Sequence, residues 1–267
     1  MHWLDTLCKE IGLEAYGALA MQDVEIINER LLSRENFAAR SILVFLVPYY
    51  ATETVNLSRY SAARDYHIAI REITDRLIGG IKRHFPNANA KGYGDHSPIA
   101  ERAAALRAGL GILGDNGLII HEKFGSYVFI GDVITDLAPE ELCAKPPVEI
   151  KYCEHCGKCK KACPTGVLRG EGEDCLSAIT QKKGSLTDSE VALMKKYNTV
   201  WGCDICQSVC PHNAHPHVTP INFFKEDLIP HLTLEILENM GDEVFSERAF
   251  AWRGRKTVER NLALFEE

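Results

Sequence analysis

No run in this 267-residue sequence is long and apolar enough to suggest a membrane span. The longest apolar segment, Ser41 to Ala51 (SILVFLVPYYA), is about half of what a spanning helix needs, and it contains Pro48. The first twenty residues, MHWLDTLCKEIGLEAYGALA, place acids and a lysine among their apolar positions, unlike a secretory signal, so a cytoplasmic location is expected. Basic charge is in deficit: 30 Lys and Arg face 37 Asp and Glu, for a net charge of −7. That excludes a generally adhesive nucleic-acid binder and leaves room only for a local basic patch. Low-complexity segments are lacking, and 46% apolar with 25% charged residues excludes a disordered, collagenous or coiled-coil chain.

Cysteine, by contrast, is abundant. Eight of the ten cysteines fall between Cys153 and Cys210, while Cys8 and Cys143 stand apart as core or surface thiols. In a reducing compartment such a cluster points to metal ligands rather than disulfides. The first run is Cys153-x2-Cys156-x2-Cys159-x3-Cys163-Pro164, the bacterial ferredoxin pattern for a 4Fe–4S site whose fourth cysteine serves the other cluster. Three thiolates at two-residue gaps can wrap three irons of a cubane, and the fourth, before a proline, is carried away by the next turn. A second run, Cys203-x2-Cys206-x3-Cys210-Pro211, repeats the later part but lacks one cysteine, which Cys175 can supply. Exchanging the fourth ligands puts one cluster on Cys153, Cys156, Cys159 and Cys210 and the other on Cys163, Cys175, Cys203 and Cys206. Structural zinc is the competing reading of two CxxC pairs. Two clusters close together would form an electron relay.

The periodicity predicts helices through residues 1–40 (Trp3 to Ala18, Val24 to Leu32), over Asp65–His84 and over Ala100–Ala108, the last stopped by Gly109 and Gly111. Ser41–Tyr49 reads as a buried strand, and Gly117–His121 and Ser126–Val133 as two more. This alternation suggests an α/β sandwich of roughly 140 residues, with a domain boundary in the proline-rich Ala138–Val148 (APEELCAKPPV). After the cysteine segment, Pro220–Glu267 reads as helical with a basic stretch near its end, Trp252-Arg-Gly-Arg-Lys-Thr-Val-Glu-Arg-Asn261.

Several polar segments of the first half are hard to explain as packing: Leu57-Ser-Arg-Tyr60, Arg64-Asp-Tyr-His67, Gly94-Asp-His-Ser-Pro-Ile-Ala-Glu-Arg102, Ala108-Gly-Leu-Gly111 and Gly125-Ser-Tyr-Val-Phe-Ile-Gly131. With both cysteine runs, Cys175-Leu-Ser-Ala-Ile-Thr-Gln-Lys-Lys-Gly184 and the basic tail, the sequence resembles the epoxyqueuosine reductase family from about Arg30 to Asn261. The resemblance implies a cobalamin-dependent oxidoreductase with two 4Fe–4S clusters that reduces epoxyqueuosine to queuosine at the wobble position of tRNA, the last step of queuosine biosynthesis. It implies an α/β cobalamin and substrate domain, similar to reductive dehalogenases, over residues 1–142. A double-cluster ferredoxin-like domain would follow over 143–219, and a helical tail over 220–267.

Carried over position by position, the resemblance makes Asp95 the proton donor. Arg30, Ser58, Asp95, Ile119, Ile130, Ser177, Cys203 and Asp204 become corrinoid contacts. The basic residues Lys183, Arg253, Arg255 and Lys256 become contacts to tRNA phosphates. Electrons from a low-potential flavodoxin- or ferredoxin-like donor would reach the corrinoid through the clusters, and the expected state is a monomer. Relative to many family members the chain is expected to be a short form without the C-terminal helical-repeat domain. Gly114-Asp115-Asn116 stands where a lysine is common.

Plainer roles exist for the same residues. Asp95 can cap a helix, Asp65 and His67 can form a surface turn, Ser177 can cap a short helix, and the basic residues can coat a solvated face. Two other functions also compete: a cobalamin and iron–sulfur reductase of an organohalide or another epoxide, and an iron–sulfur electron carrier without corrinoid.

Overall fold

The structure, a computed structural model, describes residues 2–266; residues 1 and 267, the outer ends of the first and last expected segments, lie outside the described residues. The chain forms two compact units built from interleaved stretches. The first comprises the chain up to Pro48, His67–Glu122 and Val128–Cys153; the second comprises Tyr49–Tyr66, Lys123–Tyr127 and the chain from Glu154 onward. The linear edges expected after residues 142 and 219 are not edges of this division. Proline cannot donate a backbone hydrogen bond, but its neighbours in the strip 143–153 bond to the first unit. The Lys145 N–H donates to the Ala18 carbonyl, Val148 N–H to Arg107, and the Lys151 carbonyl accepts from Leu113 N–H.

The first unit contains α1 (Trp3–Ile11), β1 (Tyr16–Ala20), α2 (Glu29–Leu32), β2 (Ser41–Pro48), α3 (Tyr66–His84), β3 (Ala90–Tyr93), α4 (Glu101–Arg107), β4 (Ile112–Leu113), β5 (Ile119–Ile120) and β6 (Val128–Thr135). Its sheet runs β1-β2-β6-β3, and β4 with β5 makes a separate hairpin; every pairing is antiparallel. All of β2 is buried, as its continuous apolar run requires of a central strand. Residues 1–40 are not helical throughout. Gly12 ends α1 in the left-handed conformation (φ 85°), and the small-residue run YGALA pairs with β2 as an edge strand.

One face of this sheet carries α3. Gly131 and Gly92 make room for it, since a Cβ there would lie 3.3 Å from Ile70 and 2.3 Å from Thr74. The opposite face carries α4 over Ile42, Val44, Leu46, Ile130 and Ile134, with Ile99, Ala104 and Ala105 packed above them.

Among the described residues the second unit holds seven short α-helices: α5 (Lys158–Ala162), α6 (Leu176–Thr180), α7 (Asp188–Lys196), α8 (Ile205–Ser208), α9 (Leu234–Glu238), α10 (Asp242–Ser246) and α11 (Arg255–Ala263). The loop stretch 49–66 packs deep inside it. Leu57 bridges Trp201, Val200 N–H donates to the Asn56 carbonyl, and the Asn56 side chain exchanges two hydrogen bonds with the backbone of Leu232. Trp201, Phe250, Leu232, Leu237 and Val258 complete an apolar core there.

The tail motif Arg260-Asn261 is a fastening within this unit. Asn261 is fully buried, and its Nδ2 donates to the carbonyls of Thr180 (2.7 Å) and Val200 (2.8 Å). Buried acceptors left unpaired are costly. Asn261→Ala is therefore expected to lower the unfolding free energy by about 2–4 kcal/mol, read from denaturant midpoints.

Candidate active site

All ten cysteines are free thiols. Cys8 is a core residue on α1 and Cys143 is exposed, as expected of the two outliers. The backbone bends sharply around the first run, with His155, Gly157 and Gly166 at positive φ (53°, 72° and 76°). Cys153 is tied to β4, its N–H donating to the Leu113 carbonyl. At Cys163, burial opposes the thiolate. Backbone N–H groups of Leu168, Thr165 and Gly166 and the Thr165 hydroxyl outweigh it and hold the thiol below its ordinary range. Burial pushes the Cys203 thiol up to about 12, and negative charge on Cys175 and Cys206 adds to the effect. Cys175 and Cys206 thus lie close enough to act on Cys203, and a bound iron cluster is what relieves repulsion between assembled thiolates. The donor set fits two clusters.

Within the second unit the structure brings together Ser58, Ser177, Cys203 and Asp204. Ser58 is buried, and its N–H donates to the Trp201 carbonyl. The next residue, Gly202, has φ 76°, and a Cβ on it would sit 2.0 Å from Ser58 Oγ. Its N–H donates to Thr180 Oγ1 (3.0 Å), and that hydroxyl donates to the Ser177 carbonyl (2.8 Å). Ser177 Oγ accepts from the Gln181 side chain. It is not a helix cap, because α6 starts from Cys175. Asp204, its side chain 9% exposed, accepts from the Arg59 N–H (2.6 Å) and guanidinium (3.3 Å). Burial dominates and holds its carboxyl above the usual range, with Arg59 acting in the opposite sense. Arg59 also lies over the Tyr127 ring. The turn Ser58-Arg59-Tyr60 is thus locked to the Cys203 loop.

In the first unit Asp95 occupies an exposed loop at φ 68°, outside α4, whose N-cap is Ala100; it is no helix cap. Its Oδ2 lies 3.7 Å from His67 Nε2 and 3.9 Å from His96 Nε2, and its N–H donates to Glu101 Oε1 (3.1 Å). A recess of about 210 Å³ beside this loop is lined by both histidines, Arg71, Thr74 and Tyr93. Asp65 and His67 differ in role: the Asp65 N–H donates to Glu247, whereas His67 faces Asp95. Ile119 is buried and Ile130 packs on the same apolar core, while Arg30 is exposed on α2. Two further acids, Glu101 and Asp132, belong to this neighbourhood. Nothing in the sequence sets them apart from solvated carboxylates.

The basic residues separate into two kinds. Arg255 spends its guanidinium on the carbonyls of Leu237 and Met240 and on Asp242, and Arg260 on the carbonyls of Lys182 and Gly184. Lys183 and Lys256 are exposed, and Arg253 stacks at 3.7 Å on the exposed Trp252 ring.

Residues 152–213, which contain all eight clustered cysteines, match the 4Fe-4S double cluster binding domain. The epoxyqueuosine reductase of Staphylococcus aureus (strain NCTC 8325 / PS 47) is 32% identical over 277 aligned positions, covering 94% of this chain and 71% of that protein. The chain belongs to the epoxyqueuosine reductase family. This family of oxidoreductases also includes the Lactococcus garvieae (strain Lg2) protein, 34% identical over 78% of this chain and 60% of its own length. The chain thus spans about 60% of that curated relative's length. A crystal structure of an epoxyqueuosine reductase with a tRNA-Tyr epoxyqueuosine-modified stem loop superposes with a TM-score of 0.75 at 26% identity, over 98% of this chain and 79% of that one. A catabolic reductive dehalogenase, NpRdhA, shares the fold alone, at 15% identity and a TM-score of 0.50. Among the described residues no helix is long and apolar enough to cross a membrane.

Proposed function

We propose that this chain reduces epoxyqueuosine to queuosine at the wobble position of tRNA, completing queuosine biosynthesis in the cytoplasm. The main support is the likeness, over 98% of this chain, to the structure holding an epoxyqueuosine-modified stem loop. Opening the epoxide to the alkene consumes two electrons and two protons and releases water. Two 4Fe–4S clusters on the eight clustered cysteines and a cobalamin, when bound, supply the electrons, drawn from a flavodoxin- or ferredoxin-type donor. The hydroxyl of Ser177, the buried hydroxyl of Ser58 and the Cys203-Asp204 backbone fit the amide-bearing rim of a corrinoid. Asp95 Oδ2, flanked by His67 and His96, hands a proton to the departing oxygen. The second proton comes from water. The enzyme works as a monomer and holds the splayed-out base of the anticodon loop.

Lys183, Lys256 and Arg253 contact the phosphates, whereas Arg255 serves α10 and the end of α9. Three such contacts to a single-stranded loop make affinity fall roughly 20-fold between about 50 and 200 mM salt, and Lys256→Ala lowers the logarithmic slope by about 0.7. The deciding experiment is anaerobic loading with iron, sulfide and cobalamin, followed by turnover of an epoxyqueuosine-modified stem loop under a low-potential reductant. Cobalamin uptake without queuosine formation, or stem-loop binding indifferent to salt, would sink the tRNA assignment.

A further inference from the structure

Asp132 is the one fully buried acid of the first unit's sheet. It lies on β6 opposite Val44 and Tyr93, on the face that carries Ile130 and Ile134 beneath α4. It is 0% exposed, and neither carboxyl oxygen has a hydrogen-bond partner. Ser97 comes near enough to favour the anion slightly. Burial and then the negative charge of Glu101 overwhelm this and hold the carboxyl well above its ordinary range. An isolated buried carboxylate neutralises rather than remain charged. Above it Glu101, first residue of α4 and half-buried, accepts the Asp95 N–H.

We propose that Asp132 and Glu101 form a carboxyl pair carrying one negative charge, resting on Glu101, and that this charge positions the Asp95 loop by accepting its backbone N–H. The pair's relevance to catalysis rests on the reading of Asp95 as the proton donor. The groups acting on Glu101 are Asp95 of the loop, His67 of α3 and Asp132 of β6; His96 faces Asp95, and Tyr93, whose hydroxyl donates to Glu35, lies opposite Asp132 on β3. Burial pushes Glu101 up to about 7; the Asp95 N–H and His67 favour its anion, and the Asp95 charge opposes it. An ionised acceptor makes the stronger hydrogen bond, and it holds an exposed loop whose backbone turns left-handed at Asp95 (φ 68°). Glu101 is a positioning residue that engages as pH rises through neutrality.

The same titration weakens the fold. Glu101 binds its proton more tightly folded than unfolded, so its stabilising contribution is complete below its unfolded value of about 4.5 and is lost as pH rises through about 7. Glu101→Gln keeps an acceptor oxygen but cannot titrate. In the cluster-loaded protein this variant should equal wild type in denaturant midpoint near pH 4 and exceed it near pH 8. Hydrogen exchange of residues 94–97, corrected for intrinsic rates, should slow roughly twofold to tenfold between about pH 6 and pH 8 in wild type and stay level in Glu101→Gln. A protonated-carboxyl infrared band should persist near pH 8 in wild type and in Glu101→Gln and vanish in Asp132→Asn. Superimposed stability or exchange curves for wild type and Glu101→Gln, or no such band, would overturn the pair. These readouts need no turnover. A wild type that shows them yet leaves the modified stem loop unreacted counts against the proposed function and leaves the pair standing. In a working enzyme, Glu101→Gln removes the ionisation near pH 7 from the rate profile, and an unchanged profile overturns the positioning role.

Discussion

Asp95→Asn is expected to slow queuosine formation by about 10²- to 10⁴-fold, the range in which a positioned acid contributes to rate, while iron, sulfide and cobalamin contents stay at wild-type levels. Asparagine is the informative replacement. It tolerates the left-handed backbone that Asp95 adopts at φ 68°, and its N–H still reaches Glu101 Oε1. Its side chain is of the same size beside His67 and His96 but has no acidic proton to give. Asp95→Ala removes the group and also loses the side chain that eases this backbone, so it confounds two effects. Single-turnover rates on a modified stem loop, with the corrinoid absorption spectrum recorded on the same sample, check the prediction. Full activity in Asp95→Asn would move the proton donor elsewhere, with His67 the next group to test.

Gly202→Ala should damage the second unit severely. A left-handed residue with a Cβ costs roughly 1–2 kcal/mol, and forcing a methyl into a filled space typically adds about 1–3 kcal/mol. Here the new carbon would lie 2.0 Å from Ser58 Oγ and 2.5 Å from its Cβ. Neither side can yield easily, because Gly202 N–H is fixed to Thr180 and Ser58 N–H to Trp201. The expected loss is about 2–5 kcal/mol, with a lowered iron content because Cys203 follows directly. Gly184→Ala separates the two causes. Gly184 has φ 82° with open space around its Cβ position, so it should lose only the backbone share. Denaturant midpoints and iron per chain for both variants test this; equal losses would mean that crowding against Ser58 contributes nothing.

Legibility in the sequence followed the range of the interactions. The cysteine ligands could be read because cluster binding needs them at short, fixed spacings. β2 and α3 could be read because a continuous apolar run and a long amphipathic period each admit few alternatives. β1 and β3 could not: YGALA and AKGY carry no strand pattern and become strands by pairing with β2 and β6. The α–β alternation carried no information on strand direction, and each pair of named strands is antiparallel. Asp95 was reached through family resemblance, since its loop conformation has no local signal. Glu101 and Asp132 were missed because an acid opening a helix and one in a strand both read as solvated. Only the third dimension places Asp132 under α4. Arg255 reads as a phosphate contact in the sequence, but its guanidinium lies on the backbone carbonyls of Leu237 and Met240.

The position of residues 49–66 limits modularity. Their anchors in the second unit lie far along the chain: Arg59 N–H meets Asp204 across 145 positions, and Asn56 meets Leu232 across 176. A ferredoxin-like fragment cut out from residue 143 onward would leave Asn56, Leu57 and Ser58 behind, exposing Trp201 and stripping the Cys203 loop of its backing. The iron–sulfur portion is therefore no portable cassette. Shuffling it between proteins would require the upstream loop to travel with it, and during synthesis it can close only after a long wait for its C-terminal partner.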